Sequence, residues 1–402
     1  MQHKLLRRLW PTPVTQVRFL SLIRIPHNPG MAFGMFDFFK ARGRLATAGR
    51  WVLRATLGVV TLGLLTGCAD TRYYWQSVSG HLQLMQASRP VEQWLSDPQT
   101  AAPLRERLEL ARRMRAFAVT ELALPDNASY HRYADLRRNA VVWNVVAAPS
   151  LSLTLKTWCF PVLGCVSYRG YFDETQARRE ASTLQAQGME VSVYGVPAYS
   201  TLGWMNWAGG DPLLNTFIHY PEGELARLLF HELAHQVLYA RDDTMFNESF
   251  ATAVERLGGA TWLQREASEE ARTQYAAFDA RRRAFRALAF STRIQLQQVY
   301  AQSGKVADAD LLAQKQVVMQ AFRDQYATLK QQWGGFAGYD RWVAEANNAS
   351  LGAQGAYDDL VPQFEALFVR EGRDWPAFYH AVRRIADLPS DERKKALEKP
   401  GP

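Results

Sequence analysis

The sequence predicts an α+β fold that is mainly helical, with a small mixed sheet between two helical regions. Apolar residues recur at helical spacing over residues 73–122 and again over 262–397, where breaks are predicted near residues 304 and 335 and over 347–355. Between these regions the β-prone runs are short and lie at residues 141–146, 151–155, 166–172 and 191–196. A helix predicted over 174–187, which Gly188 ends, separates the last two runs.

These patterns divide the chain of 402 residues into four regions. We expect an upstream segment in residues 1–67, a helical region in 68–150, a core region in 151–260 and a helical C-terminal region in 261–402. A chain of this length has room for two or three packed subregions. Hydrophobic residues make up 48% and charged residues 21% of the sequence, as in an ordinary globular protein.

The chain is basic, with a formal net charge of +8 and a pI near 9.4. Such a charge is compatible with nucleic acid or an anionic membrane surface as a partner. Several of the basic residues lie before residue 55, and the others are interspersed with Asp and Glu. No nucleic-acid-binding motif or basic stripe accompanies them. We therefore expect a solvated basic surface and no nucleic-acid partner.

The upstream segment has the pattern of an export signal. Four arginines precede an apolar run over residues 55–65: Arg42, Arg44, Arg50 and Arg54. The run is too short to span a bilayer of about 30 Å as a helix. A basic stretch followed by a short apolar one is typical of a signal peptide. Met35 then becomes a candidate start, with residues 1–34 upstream of it.

The apolar run ends in Leu65-Thr66-Gly67-Cys68, which resembles the lipobox of bacterial lipoproteins. The resemblance implies cleavage before Cys68, lipid modification of its thiol and attachment to the membrane in the cell envelope. Ala69 after the cysteine favours the periplasmic face of the outer membrane in a Gram-negative host. The alternative is a hydrophobic anchor or core segment with an incidental cysteine.

The other two cysteines, Cys159 and Cys165, flank a short segment in which Pro161 and Gly164 favour a turn. In an oxidising compartment we expect them to form a disulfide. A zinc site at these cysteines is the weaker alternative, because no second Cys or His pair lies nearby in the sequence.

A helix predicted over 222–239 contains the motif His-Glu-x-x-His, in Leu229-Phe230-His231-Glu232-Leu233-Ala234-His235. Residues four positions apart share a helix face, so both imidazoles can bind one ion. Glu232 between them is then placed to activate a metal-bound water. A catalytic zinc site needs one more protein ligand and an open position for that water.

The predicted third ligand is Glu248, separated from His235 by twelve residues, on a helix predicted over 246–257. Asp242-Asp243-Thr244 supplies candidates for its N-cap, and Gly258-Gly259 is predicted to stop it. Glu255 lies seven positions after Glu248, on the same face, and is a candidate acceptor for a ring N–H of a zinc-bound histidine. The alternative is a helix whose buried His and Glu merely pair with neighbours.

The segment 247–255 has the pattern Asn-Glu-x-Phe-Ala-x-x-x-Glu after His-Glu-x-x-His, which resembles the gluzincin metallopeptidases such as thermolysin and the zinc aminopeptidases. Together with residues 198–204 and the lipobox, the chain is similar to a bacterial family of predicted-aminopeptidase lipoproteins. The resemblance implies a zincin-like core, Zn²⁺ on His231, His235 and Glu248, Glu232 as general base, and a peptide substrate.

The substrate end of the site is less defined. Gly203-Trp204-Met205-Asn206 lacks the Glu with which gluzincin aminopeptidases bind the substrate amine, so Asp211, Glu222 or Glu224 would have to bind it. A zinc endopeptidase is therefore an alternative, as is a zinc-binding envelope scaffold or chaperone without activity. Residues 199–206 are a candidate substrate-binding strand, with a loop packed against the motif helix as the alternative. Candidates for stabilising the oxyanion are Tyr199, Tyr220, Tyr239 and Tyr357. The oligomeric state stays open.

Overall fold

The computed structural model describes residues 67–160, 164–198, 200–201, 203, 206–354 and 360–398, with the side chains of 67–72 excepted. The predicted leader and signal peptide and the side chain of Cys68 lie outside the described residues. Residues 69–402 form one compact unit. None of the helices in the described part of the chain combines the length and the apolar character that crossing a bilayer requires.

Residues 67–120 are mostly helical, as the periodicity over 73–122 predicts. They contain α1 (Gly67–Ala87), α2 (Val91–Ser96) and α3 (Ala102–Thr120). A small mixed sheet follows these helices: β2 (Arg132–Ala134) pairs antiparallel with β1 (Arg89–Pro90) and parallel with β8 (Leu213–Leu214). This sheet joins the N-terminal helices to the segment that leads into the two central helices.

The larger sheet has the order β6 (Arg169–Tyr171), β3 (Val142–Pro149) and β7 (Met189–Val196), and all its pairings are antiparallel. The predicted helix is present as α4 (Glu174–Ala186), which packs on one face of β3 through Ala177, Ala181 and Leu184. β7 is an edge strand within the described residues. The opposite face of the sheet, which carries Asn144 and Tyr194, is directed towards the C-terminal helices.

One strand prediction was wrong and another was confirmed in part. Residues 151–155 form no strand, because Leu153 and Leu155 pack as loop side chains against clusters of the C-terminal helices. The run 166–172 is divided between β6 and the hairpin of β4 (Trp158–Phe160) and β5 (Gly164–Val166).

Two adjacent helices form the centre of the molecule, α5 (Glu222–Ala234) and α6 (Thr244–Arg265). The first is shorter than predicted, because the chain leaves the helix at His235. The second begins as predicted, since the Asp243 side chain accepts a hydrogen bond from the Phe246 N–H at 3.0 Å. It does not stop at Gly258-Gly259. A Cβ on Gly258 would lie 2.7 Å from Leu122, so this glycine permits close packing instead of ending the helix.

The C-terminal region is helical, as predicted. Its helices are α7 (Glu269–Tyr300), α8 (Asp308–Gln332), α9 (Asp340–Ala344), α10 (Asn348–Gln354), α11 (Val361–Arg370), α12 (Trp375–Ala386) and α13 (Ser390–Glu398). The short helix α10 occupies part of the stretch 347–355, which was expected to be a break. The largest buried cluster takes side chains from every region after residue 67, among them Leu108, Phe230 and Phe364.

Candidate metal centre

The helices α5 and α6 run antiparallel and bring three potential ligands together. The Nε2 atom of His231 lies 3.2 Å from Nε2 of His235 and 3.4 Å from Oε2 of Glu248. The same oxygen lies 3.8 Å from Nε2 of His235. Among the described residues, these three are the group of His, Cys, Asp and Glu side chains whose ligand atoms converge closely enough to hold one ion.

The three separations fit a zinc ion. Ligands at 2.0–2.1 Å from a tetrahedral centre are about 3.3 Å apart, close to the distances between these atoms. Two imidazoles and one carboxylate also form a ligand set of catalytic zinc sites, which leave the fourth position open. His231, His235 and Glu248 therefore fit the metal in both geometry and ligand type.

The protonation states of these ligands are shaped by burial and by one another. Burial is the main reason why the pKa of His235 falls to about 4, which keeps its imidazole neutral and able to bind a metal. For His231, burial lowers the pKa, but hydrogen bonds with Glu248 and Glu255 raise it well above its usual value. The two histidines lower the pKa of Glu248 despite its burial. A metal at this position would therefore compete with a proton on His231.

Glu232 follows His231 on α5 and is half-buried. Its carboxylate makes no hydrogen bond or ion pair with another residue that the structure describes. Burial, with the nearby charge of Glu248, raises its pKa to about 7 although His231 opposes the shift. A carboxylate that no described residue engages, with a pKa near neutrality, can accept a proton from a water molecule.

A group of charged side chains lies beside Nδ1 of His231, on the side of the ring away from the ligand atom Nε2. Oε2 of Glu255 lies 3.0 Å from Nδ1 of His231, and the other carboxylate oxygen pairs with Arg227. Further ion pairs join these residues to α7, and we call the set the ionic cluster: Glu224, Arg227, Glu255, Asp279 and Arg282. Arg227 was missed in the sequence, although it lies four residues before His231 on the same helix face.

Comparison with known proteins identifies the family. A family profile described as "Putative aminopeptidase" matches residues 72–397. The chain belongs to this family. Neither the curated proteins nor the solved structures contain a match to the chain. Membership of the aminopeptidase family points to a peptidase.

The three acids suggested in the sequence as partners of a substrate amine have protein partners in the structure. The Asp211 carboxylate accepts hydrogen bonds from Thr201 N–H at 3.0 Å and from its hydroxyl at 2.8 Å. Glu222 accepts one from the indole N–H of Trp262 at 3.0 Å. Glu224 pairs with Arg282 at 2.7 Å. Each acid therefore has a structural role.

Asp211 belongs to a second polar group, next to the end of α5. The Gln236 side chain bonds to Asn127 at 2.6 Å, to Ser129 at 3.1 Å and to Asp211 at 3.3 Å. Ser129 also bonds to Asn206 at 3.1 Å. We call this set the amide cluster: Asn127, Ser129, Asn206, Asp211 and Gln236. It fixes the chain just beyond His235, whose buried Nδ1 has no hydrogen-bond partner among the described residues.

Glu248 is close enough to influence the pKa of one tyrosine singled out in the sequence, Tyr239, and of two that were not. Tyr199 and Tyr357 lie outside the described residues, and Tyr220 and Tyr239 are exposed at 37% and 38%. Tyr168 and Tyr194 were not predicted. Burial raises the pKa of both, and the charge of Glu248 adds to the shift. In the sequence, the feature that pointed to Tyr194 was its position in the β-prone run over residues 191–196.

The predicted substrate-binding strand over residues 199–206 is wrong for its described residues, which form no strand. The N–H of Thr201 is directed to Asp211 instead of to a neighbouring strand, and Asn206 begins a 3-10 turn. An accessible edge lies elsewhere. β7 forms one wall of a cavity of about 650 Å³, whose other wall comes from α9 and α10.

Cys159 and Cys165 form a disulfide across the β4–β5 hairpin. The backbone N–H of Cys165 donates to the Asp242 carboxylate at 3.1 Å. Asp242 lies in the turn between α5 and α6, so the hairpin contacts the connection between the two helices that carry the metal ligands.

Proposed function

We propose that this protein is a zinc-dependent aminopeptidase of the cell envelope. Zn²⁺ would be bound by His231, His235 and Glu248, in a zincin-like core of the gluzincin type, and Glu232 would be the general base. The observation that carries the proposal is the convergence of three ligand atoms from two helices at separations of 3.2–3.8 Å. The family to which the chain belongs supports the same reaction class.

Bound zinc supplies a Lewis acid that polarises the scissile carbonyl and acidifies the attacking water. The side chains of the protein position and transfer the protons of the reaction. Glu232 takes a proton from the water and returns it to the leaving amine. Oε2 of Glu255, 3.0 Å from Nδ1 of His231, would favour the tautomer with its proton on Nδ1 and so leave Nε2 of that ring for the ligand position.

The edge strand β7 supports an extended peptide as substrate. Asn347 donates from its side-chain amide to the Val191 carbonyl at 3.0 Å, so the backbone groups of Val191 face away from β3. Because strand residues alternate, those of Val193 and Gly195 face the same way, and both residues line the cavity. A peptide can add to this edge by main-chain hydrogen bonds. Tyr194, which also lines the cavity, is within the electrostatic reach of Glu248.

One observation favours a second candidate, a zinc endopeptidase. The acids suggested for amine recognition are engaged with Thr201, Trp262 and Arg282. An endopeptidase needs no such acid, since its substrate continues on both sides of the scissile bond.

The location in the envelope is proposed from the sequence. The lipobox-like Leu65-Thr66-Gly67-Cys68 would anchor the chain to the membrane through Cys68. The disulfide Cys159–Cys165 agrees with an oxidising compartment.

An assay on a mixed peptide library tests the proposed reaction. The chain from residue 69 onward should contain one zinc ion and release single N-terminal residues. The E232Q variant should retain zinc and lose activity by at least about 100-fold, because general-base catalysis contributes on the order of 10²–10⁴. E365Q is the matched control, since Glu365 is a half-exposed carboxylate on α11 that pairs with Arg256 and contacts none of the proposed ligands.

Each outcome separates the candidates. Internal cleavage products would support the endopeptidase. Zinc without turnover would support the scaffold or chaperone alternative. Equal activity of E232Q and the unaltered chain would remove Glu232 from its role.

A further inference from the structure

Three positions along α5 face three positions along α6, each opposite one partner. On α5 these residues repeat every four positions, as Arg227, His231 and His235. On α6 they are met, in reverse order, by Gly259, Glu255 and Glu248. Arg227 is thus one helical turn from the nearest ligand, His231, and has no contact with the position where the ligands converge.

Glu255 connects Arg227 to the site. One carboxylate oxygen lies 3.0 Å from Nδ1 of His231, and the other pairs with Arg227. Two partners on different oxygens fix both the position and the plane of a carboxylate. The direction in which Nε2 of His231 points depends on the partner of Nδ1, because the two atoms belong to one rigid ring.

Arg227 is itself fixed from several sides. It is 4% exposed, and its guanidinium lies 3.8 Å from both Glu224 and Asp279. Its methylene stem lies against Gly259, where a Cβ would come within 2.8 Å of the Arg227 Cγ. One terminal nitrogen of the flat guanidinium bonds to Glu255, while the other faces Glu224 and Asp279, and one ammonium group cannot reproduce both directions.

We propose that Arg227 is a positioning residue of the metal centre, which holds Glu255 so that His231 presents Nε2 to the ion. The inference rests on the proposed function, since it assumes that the three ligands bind zinc. It also explains why α6 has a glycine at 259: the stem of the positioning arginine occupies the space of a side chain.

Zinc affinity of the full chain, measured by competition with a chelator, tests the inference apart from peptide hydrolysis. R227M should weaken zinc binding about 10–100-fold, the usual effect of losing a group that supports a ligand. R227K, which keeps the charge and folds more readily, should weaken it about 3–10-fold. K315M is the matched control, because Lys315 is 8% exposed and pairs with Glu190 outside the site. Its zinc affinity should stay within about threefold.

A double-mutant cycle with E255Q tests whether Arg227 affects zinc affinity through Glu255. If Arg227 acts through Glu255, R227M should cost less than about threefold in the E255Q background. Additive losses, or R227M and R227K proteins that bind zinc as tightly as the unaltered chain, would overturn the inference. Tight zinc binding without peptidase activity would instead refute the proposed reaction and leave the role of Arg227 standing. An unaltered chain that binds no zinc would refute both.

Discussion

Two polar groups flank the motif of α5, and they are built from different chemistry. The ionic cluster before His231 combines three carboxylates with two arginines. The amide cluster beyond His235 consists of amides and a hydroxyl around a single carboxylate, that of Asp211. The ionic cluster contacts the ring of the ligand His231 directly, whereas the amide cluster contacts the chain after α5 ends.

The difference indicates two ways of organising a metal site. Charged partners control the ring of His231, because a carboxylate on Nδ1 determines which nitrogen is free for the metal. Amide and hydroxyl groups, gathered around the one buried carboxylate of Asp211, hold the chain that follows His235 in place and touch no ligand ring. We therefore expect changes in the ionic cluster to alter metal binding, and changes in the amide cluster to alter stability.

The largest expected effect is on the ionic side. E255Q should weaken zinc binding about 10–100-fold, because it removes the charge that faces Nδ1 of His231. Chelator competition measures the affinity, with E365Q as the control. Unchanged affinity would show that the contact between Glu255 and His231 does not support the metal.

On the amide side, Q236A should lower the free energy of unfolding by about 1–3 kcal/mol, since it removes one hydrogen bond each from Asn127, Ser129 and Asp211. Denaturant unfolding measures this change, and zinc affinity should stay within about threefold. A loss of zinc affinity as large as that of E255Q would erase the distinction between the two clusters.

The clusters should also respond differently to acid. Burial opposes ionisation of Glu255, but Arg227 and His231 lower its pKa to about 2. It therefore stabilises the fold above its unfolded pKa of about 4.3, and this contribution is lost as the pH falls towards 2. For Asp211, burial raises the pKa, so its contribution has the opposite sign.

Thermal unfolding of the metal-free protein between pH 5 and pH 3 tests this difference. The melting temperature should fall over that interval, and E255Q should make the fall shallower. D211N should not make it shallower. An identical slope for E255Q and the unaltered protein would contradict the assigned role of Glu255.

The smallest effects should come from the two neighbouring glycines of α6. A methyl group at 259 meets the Arg227 stem, whereas one at 258 meets Leu122 in the core. G259A should therefore weaken zinc binding by about threefold, and G258A should lower stability, by about 1–3 kcal/mol, without that loss. The same two measurements, affinity and denaturant unfolding, separate them. Equal zinc affinities for the two variants would contradict this prediction.

Local patterns predicted much of the helical structure. The helix over 174–187 and the N-cap at Asp243 were predictable because both depend on residues close in the chain. The prediction failed where distant residues decide. Gly258-Gly259 lie inside α6 since Leu122 and Arg227 fill the space beside them, and residues 151–155 form a loop because C-terminal helices bind their side chains.

For the candidate site, the sequence by itself determined which residues share a helix face, because four-residue spacing follows from the helical repeat. It therefore placed His231 with His235, and Glu248 with Glu255, without knowledge of any contact. Only the tertiary structure decided that the two helix faces meet, that Arg227 pairs with Glu255, and that Asp211 accepts hydrogen bonds from Thr201. These facts depend on how separate elements pack, which no local repeat encodes.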